Sequence, residues 1–147
     1  MTRPDDPRFA RLVALFEGLT AADVARLGAY YADDARFKDP FNDAVGLAEV
    51  QRILGHMFVA LEAPRFVVHE AVVQGDQAFL TWDFHFRFRR GDRAEQTVCG
   101  ASHIVLDATG RIALHRDYWD AAEELYEKLP LLGGLMRFVK RRINAAG

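Results

Sequence analysis

Apolar residues recur with a helical period in the first part of the chain. They return every three or four positions over residues 9–16 and, most strongly, over residues 47–61, which predicts two amphipathic helices. Between these stretches, Thr20 and Asp23 have the spacing of a capping box, in which two residues satisfy each other's free backbone groups. This box predicts another helix, with an apolar face over residues 24–31.

The period shortens to two residues in the second half of the chain. Residues 65–74 and 77–88 alternate on either side of a Gly-Asp turn, which predicts a β-hairpin. Further strands are predicted over residues 97–106 and 111–119, and a short early strand over residues 35–39. Helices followed by a run of long antiparallel strands indicate an α+β fold, with the helices on one face of a curved sheet.

The end of the chain combines apolar and basic residues. Asp120 and Glu123 are spaced to cap a final helix, which Pro130 and the Gly133–Gly134 pair are expected to interrupt. Beyond that point, apolar positions alternate with four basic residues. We expect this extension to form a lid over a cavity mouth or a dimer contact. Contact with an anionic membrane surface is the less favoured alternative.

The composition favours one globular domain. Half of the 147 residues are apolar and 11 are Phe, so residues 1–147 are predicted to form a single domain with 120–147 as its C-terminal extension. The formal net charge of −2 disfavours nucleic acid as a partner. The single Cys99 excludes an intramolecular disulfide, and the polar start of the chain carries no secretory signal, so a cytoplasmic location is predicted. Metal-ligand and phosphate-binding motifs are missing, so no metal or cofactor is expected.

One candidate for chemistry is Asp39, at the end of the predicted early strand. Its neighbours Phe37, Pro40 and Phe41 would desolvate the carboxylate. Desolvation raises the pKa of a carboxyl group toward the range that is useful for a general base. The alternative is that Asp39 only forms a turn with Pro40 and Asn42, and residues 37–41 by themselves favour the turn.

The strand over residues 77–88 has two faces of opposite character. Its aromatic face predicts burial, either in the core or in a contact between subunits, while its polar face lies in solvent or lines a cavity. The aromatic face comprises Leu80, Trp82, Phe84, Phe86 and Phe88, and the polar face comprises Thr81, Asp83, His85 and Arg87.

Two further segments place polar side chains among apolar or small ones. In the last strand, His115, Asp117 and Trp119 share one face, an arrangement that is unusual for a surface exposed to solvent. In residues 100–103, the small side chains would allow another group to approach the strand closely. His103, at the end of that segment, is interpreted as a surface or core histidine.

The sequence YYADDARFKDP, residues 30–40, resembles the helix-to-strand segment of the nuclear transport factor 2-like superfamily, particularly ketosteroid isomerase and the SnoaL-like proteins. This resemblance implies a cone-shaped, strongly curved antiparallel sheet with the N-terminal helices packed on its concave face, a cystatin-like fold. It also implies that Asp39 is the general base that moves a proton between carbon atoms. Ser102 and either Leu15 or Phe16 stand where the isomerase has its oxyanion donors, so stabilisation of an enolate from those positions is weakened.

The sequence RDYWD, residues 116–120, is similar to a strand end of limonene epoxide hydrolase. On this comparison, Asp117 matches the aspartate that activates water in that enzyme. The arginine and aspartate that assist it there are replaced by Asp83 and His85. The similarity therefore implies a reactive carboxylate at Asp117 without the rest of the hydrolase arrangement.

Both resemblances imply which side chains face a ligand cavity. The inward-facing set is Asp39, Asp83, His85, Ser102, His115, Asp117 and Trp119. The aromatic side of the strand over residues 77–88 then becomes the outer face of the sheet. There, two subunits are predicted to form a homodimer through Trp82, Phe84, Phe86 and Phe88.

Together, the residues and the resemblances favour an enzyme of proton-transfer type, isomerase-like or cyclase-like, that acts on a small, mostly apolar carbonyl compound. Asp39 would be the general base, and Asp117, paired with His115 or His85, would be the acid or an orienting group. The predicted substrate contacts are Asp83, Ser102, Trp119, Phe37 and Tyr31. Two alternatives are a non-catalytic carrier of a lipophilic ligand and an epoxide hydrolase that uses Asp117.

Overall fold

The computed structural model describes residues 3–124 and 130–144. The elements are, in chain order, α1 (Pro7–Gly18), a 3-10 helix (Ala21–Ala29), β1 (Tyr31–Lys38), β2 (Asp43–Val45), α2 (Leu47–Ala60), β3 (Leu61–Gln74), β4 (Gln77–Phe88), β5 (Gln96–Leu106), β6 (Ile112–Tyr118), α3 (Ala121–Glu124) and α4 (Pro130–Asn144). The predicted α+β class is confirmed. The strand predicted over residues 77–88 coincides with β4.

The six strands form one open, mixed sheet in the order β2-β1-β6-β5-β4-β3. Neighbouring strands are antiparallel except β1 and β6, which run parallel with Phe37 beside His115. This pair differs from the antiparallel sheet that the resemblance implies. β1 and β6 are far apart along the chain, and the elements between them supply the long connection that a parallel pair requires.

β1 begins earlier than the sequence predicts. Tyr31, expected at the end of a helix, is the first residue of β1 and is fully buried. The helix before it is a 3-10 helix, and its predicted capping box is confirmed, because the backbone N–H and the hydroxyl of Thr20 both donate to Asp23 at 2.8 Å. The Ile112 N–H donates to the Tyr30 carbonyl at 2.7 Å, so sheet hydrogen bonds hold the chain extended from that point.

The helices α1 and α2 pack against one side of the sheet, which we call the inner face; the opposite side is the outer face. The apolar stripes that predict these helices are the surfaces they bury. From α1 and α2, the buried side chains are Phe9, Leu12, Val13, Val50 and Leu54. The core and the cavity described below therefore both lie between the helices and the inner face.

The aromatic side of β4 belongs to the inner face. Trp82 and Phe86 are each 5% exposed. In the cross-strand register, Leu80 pairs with Ser102 and Ser102 pairs with Asp117. Directly paired residues project to the same side of a sheet, so the aromatic residues of β4 share a face with Ser102 and Asp117.

This orientation corrects two predictions. Asp83 and His85 alternate with the aromatic residues and therefore project from the outer face, so their assignment to the cavity is wrong. The assignment of a dimer contact to Trp82, Phe84, Phe86 and Phe88 is wrong for the same reason. The physical cause is that the apolar stripes of α1 and α2 bury the more apolar side of β4. Homodimer formation itself stays a prediction.

The predicted interruption at Pro130 and the Gly133–Gly134 pair is not observed, because a helix begins at Pro130 and includes both glycines. The predicted cap at the start of α3 is confirmed, because the Glu123 N–H donates to Asp120 Oδ1 at 3.1 Å. Pro130 begins α4 instead of breaking it, since proline lacks the N–H that the first helical turn leaves unpaired, and α4 continues through Gly133 and Gly134. None of the helices in the described ranges is long and apolar enough to cross a membrane.

Candidate active site

A cavity of about 310 Å³ lies between α2 and the inner face of the sheet. Its volume is at the lower end of the range for small-molecule sites. Most of its wall is apolar, and the aromatic part of that wall includes Phe66, Trp82, Phe84, Phe86 and Trp119. The wall also contains polar side chains. Asp117 projects from β6, Asp39 and Asn42 lie in the turn between β1 and β2, and His56 lies on α2.

A smaller void of about 30 Å³ shares Phe37, Trp82 and Asp117 with the cavity. Tyr31 and His115 also border it. Asp117 therefore lies between an apolar cavity large enough for a ligand and a tight interior in which the polar groups of Tyr31, Ser102 and His115 are buried.

Five side chains form a continuous series of hydrogen bonds through that interior. Trp82 Nε1 donates to Ser102 Oγ at 2.8 Å, and Ser102 Oγ donates to Asp117 Oδ1 at 2.5 Å. On the other side, His115 Nε2 lies 2.8 Å from the same Oδ1, and His115 Nδ1 lies 2.7 Å from the Tyr31 hydroxyl. The two arms of the series meet at one carboxylate oxygen.

The protonation state of Tyr31 bears on which atoms donate in the hydrogen bonds that link Tyr31, His115 and Asp117. Burial, with a further contribution from the negative charge of Asp117, raises the pKa of the Tyr31 phenol well above its usual value. The phenol therefore keeps its proton, and beside a neutral imidazole it donates a hydrogen bond to His115 Nδ1. A neutral imidazole with Nδ1 as acceptor carries its hydrogen on Nε2, which then donates to Asp117.

Asp117 consequently receives two donors on Oδ1 and is oriented from both sides. Its side chain is 14% exposed, and it borders the large cavity. Within residues 3–124 and 130–144, both side-chain hydrogen bonds of this carboxylate end on Oδ1, which leaves Oδ2 to meet a ligand. A fixed carboxylate with one available oxygen, next to apolar walls, has the geometry of a general base.

Aromatic rings surround the His115 imidazole. Phe37 lies edge-on with ring centres 4.8 Å apart, Phe16 is tilted at 5.4 Å, and Tyr31 is nearly parallel at 6.0 Å. These rings restrict rotation of the imidazole and keep water away from it. Phe37 and Tyr31 thus support His115; of these two predicted substrate contacts, Phe37 borders the cavity and Tyr31 borders the smaller void.

Asp39 makes the hydrogen bonds expected of a residue that forms a turn. Its Oδ1 accepts hydrogen bonds from the backbone N–H groups of Phe41 at 2.8 Å and Asn42 at 2.7 Å, and from the Asn42 side chain at 3.0 Å. Asp39 borders the same cavity as Asp117. Its carboxylate is therefore occupied in shaping the β1–β2 turn, a usual role for aspartate before a short loop.

The other predicted site residues divide between the two faces. Ser102 and His115 belong to the hydrogen-bonded series, and Trp119 borders the cavity. On the outer face, His85 Nδ1 lies 2.9 Å from Thr97 Oγ1 and Asp83 Oδ2 lies 2.9 Å from His69 Nε2. The sequence-based site missed the aromatic cavity wall, whose signal was the unbroken alternation of aromatic residues along β4.

Comparisons with known proteins add to this geometry. Residues 12–115 match the SnoaL-like domain, which is most of the chain. The chain belongs to the SnoaL-like family. The matched region of this SnoaL-like chain contains Tyr31, Trp82, Ser102 and His115, and ends just before Asp117. No curated protein matches the sequence.

Several solved structures share the fold of this SnoaL-like chain. A hypothetical protein from Catenulispora acidiphila with a ketosteroid isomerase-like fold, in complex with trimethylamine, has a TM-score of 0.70 at 17% identity over 84% of this chain and 92% of its own. A putative SnoaL-like polyketide cyclase from Shewanella putrefaciens scores 0.64 at 18% identity, with 78% and 94% covered. An LEH-like epoxide hydrolase from M. tuberculosis scores 0.62 at 21% identity, with 80% and 81% covered. At these identities the likeness establishes the fold.

Proposed function

We propose that this SnoaL-like protein catalyses proton transfer on a small, mostly apolar carbonyl compound, with Asp117 as the general base. The observation that carries the proposal is the position of Asp117, which faces an apolar cavity with Oδ2 available while Ser102 and His115 hold Oδ1. Asp39, the base that the resemblance implies, is the weaker candidate because its carboxylate accepts three hydrogen bonds at Oδ1 within its own turn.

In the proposed reaction, Asp117 Oδ2 takes a proton from the carbon next to the carbonyl group. The electron pair of that C–H bond becomes part of an enolate. The enolate either regains the proton at another carbon, which is isomerisation, or attacks a second carbonyl group and leaves an alkoxide that takes the proton, which is cyclisation. In both cases Asp117 ends as the carboxylate, and the fixed Oδ1 keeps its orientation throughout.

The lack of free oxyanion donors near the cavity supports a more specific proposal about the substrate. Phe16 and Ser102 are the side chains that border the interior where the isomerase has oxyanion donors, and the Ser102 hydroxyl is already committed to Asp117. Oxyanion stabilisation is a large part of catalysis when an unactivated ketone forms an enolate. A β-dicarbonyl compound places less demand on the protein, because its second carbonyl group delocalises the charge. We therefore propose an apolar β-dicarbonyl compound as the substrate class.

The test uses benzoylacetone as a probe and follows exchange of its acidic C–H for deuterium by NMR in heavy water, above the rate without protein. Asp117→Asn is expected to lower the protein-dependent rate by about 100-fold to 10,000-fold, the usual contribution of a general base. Asp39→Asn is the matched control, since it removes a carboxylate from the same cavity, and its rate is expected to stay within about threefold of wild type.

Two results would contradict the proposal. Exchange that survives in Asp117→Asn but is abolished in Asp39→Asn would return the base to Asp39. Probe binding without any protein-dependent exchange, and with one affinity across pH 5–8, would favour a carrier of apolar ligands, because a working acid–base site changes its affinity as it titrates.

A further inference from the structure

The helix α4 presents an apolar surface to solvent. Among the described elements it packs chiefly against the short helix α3. Among the residues whose burial the structure describes, ten large hydrophobic residues are exposed, and four of them lie on α4. These are Leu135 (54% exposed), Phe138 (53%), Val139 (42%) and Ile143 (67%).

The same helix carries a concentrated positive charge. Residues 130–147 contain four basic and no acidic residues, so the formal charge of −2 divides into +4 for this segment and −6 for the rest. Arg137, Arg141 and Arg142 have exposed side chains. Such an asymmetry between one helix and the remainder of a chain indicates a charged partner for the helix.

The apolar and basic residues occupy different sides of α4. At about 100° per residue, Phe138, Leu135, Val139 and Ile143 follow one another around a single arc. Arg137 and Arg141 project from the opposite side, and Arg142 lies within the apolar arc, where a long side chain can extend its charged group toward water. An apolar arc backed by arginines has the composition of a helix that lies flat in a membrane interface.

The described side chains of α4 lie away from the cavity. None of its described side chains borders the 310 Å³ cavity. Pairing of α4 with the α4 of a second copy is disfavoured as well, because it would bring two strongly basic helices together. An anionic lipid surface satisfies both the apolar arc and the positive charge.

We propose that α4 docks this protein on the surface of an anionic phospholipid bilayer. The helix would lie in the plane of the membrane, with Phe138 and its apolar neighbours at the boundary of the acyl chains and the arginines among the phosphate groups. This docking does not depend on the chemistry proposed for Asp117, and the two can fail separately.

The test is flotation of the full chain with vesicles of phosphatidylcholine mixed with phosphatidylglycerol, and with vesicles of phosphatidylcholine alone. We expect binding to the mixed vesicles that weakens as salt is raised. The triple variant Arg137→Gln, Arg141→Gln, Arg142→Gln is expected to bind about 100-fold more weakly, at about fivefold per arginine. The double variant Phe138→Ser, Ile143→Ser is expected to lose at least about tenfold.

Control variants test whether binding depends on α4 itself or only on the total charge and apolar surface of the protein. Arg26→Gln, Arg52→Gln, Arg65→Gln removes the same charge from exposed arginines elsewhere, and Val59→Ser, Val72→Ser removes exposed apolar side chains elsewhere. Both are expected to bind like the wild type, and circular dichroism checks that every variant is folded.

Three outcomes would overturn the proposal. The first is a wild-type chain that does not float with the mixed vesicles. The second is equal weakening by the α4 variants and by their matched controls. The third is self-association that depends on concentration and is abolished by Phe138→Ser, Ile143→Ser without any lipid binding, which would make a second copy of the chain the partner.

Discussion

Two histidine–aspartate pairs lie on opposite faces of the same sheet. The inner pair joins His115 Nε2 to Asp117 Oδ1 at 2.8 Å, and the outer pair joins His69 Nε2 to Asp83 Oδ2 at 2.9 Å. The distances are nearly equal, but the inner side chains are 8% and 14% exposed and the outer ones are 50% and 28% exposed. Water screens the outer pair, so the same contact has different consequences on the two faces.

The comparison shows that a candidate site is defined by what surrounds a pair of residues. The inner pair has a buried phenol behind the imidazole, a hydroxyl beside the carboxylate and an apolar cavity in front. The outer pair belongs to a polar surface with Thr97 and Glu95 nearby, where His85 contacts both. From their residue types alone, the two pairs are indistinguishable.

The largest effect of changing a residue near either histidine–aspartate pair is expected from Tyr31→Phe, beside the inner pair. This change removes the hydroxyl that directs His115 without removing the ring, so the histidine can adopt the wrong tautomer. We expect protein-dependent exchange of benzoylacetone to fall by about 10-fold to 100-fold, by analogy with metal-binding histidines that lose the group orienting them. NMR of the ¹⁵N-labelled imidazole is expected to show hydrogen on Nε2 in the wild type and a mixture of tautomers in the variant.

Tyr30→Phe is the matched control for this prediction. It removes a hydroxyl from the adjacent residue, whose ring stacks with the Arg11 guanidinium, and it should leave both the rate and the tautomer unchanged. If Tyr31→Phe lowers the rate while the imidazole spectrum stays like the wild type, Tyr31 does not act through His115.

A second difference concerns how tightly the inner face is filled. A Cβ at Gly100 would overlap three carbon atoms of the Trp82 ring. The close approach predicted for residues 100–103 is therefore made by the indole. Gly100→Ala is expected to lower the free energy of unfolding by about 1–3 kcal/mol, as overpacking usually does, measured by urea denaturation.

Gly18→Ala provides the comparison, because a Cβ at Gly18 meets nothing within 4 Å. Its stability is expected to match or slightly exceed that of the wild type. Similar stabilities for the two variants would mean that Trp82 can move aside and that the cavity wall at Trp82 is not rigid.

The smallest effect is expected on the outer face. A hydrogen bond from Cys99 and, next, the contact with His69 lower the pKa of Asp83 below its usual value. A carboxyl group whose pKa is lower in the folded state stabilises the fold above its unfolded pKa of about 4, and this stabilisation is lost as the pH falls through the folded value. Asp83→Asn is expected to cost about half a kcal/mol or less at neutral pH, because the pair is screened.

This prediction is checked by urea denaturation of wild type and Asp83→Asn at a series of pH values. The difference between their midpoints is expected to shrink as the pH falls to about 3. A difference that stays constant in acid would show that the asparagine disturbs packing and that the charge of Asp83 is not what stabilises the outer face.

Local periodicity was sufficient to predict most of the elements. The stripe over residues 47–61 became α2, residues 77–88 became β4, and the Thr20–Asp23 capping box formed as expected. These features depend on neighbours in the chain, so the sequence carries the information directly. In the polar set predicted at the end of the last strand, Asp117 and Trp119 border the cavity, and His115 borders the smaller void behind it.

Only the tertiary structure decided which side of β4 is inside. A period of two residues divides a strand into two faces but does not say which one the helices cover, and a slip by one position exchanges them. Asp83 and His85 were assigned to the wrong face for this reason. Likewise, Tyr31 and His115 are 84 positions apart, and only the parallel pairing of β1 with β6 brings the phenol to the imidazole. The sequence determined the chemical groups and their local order, whereas long-range packing decided which of them share a dry cavity.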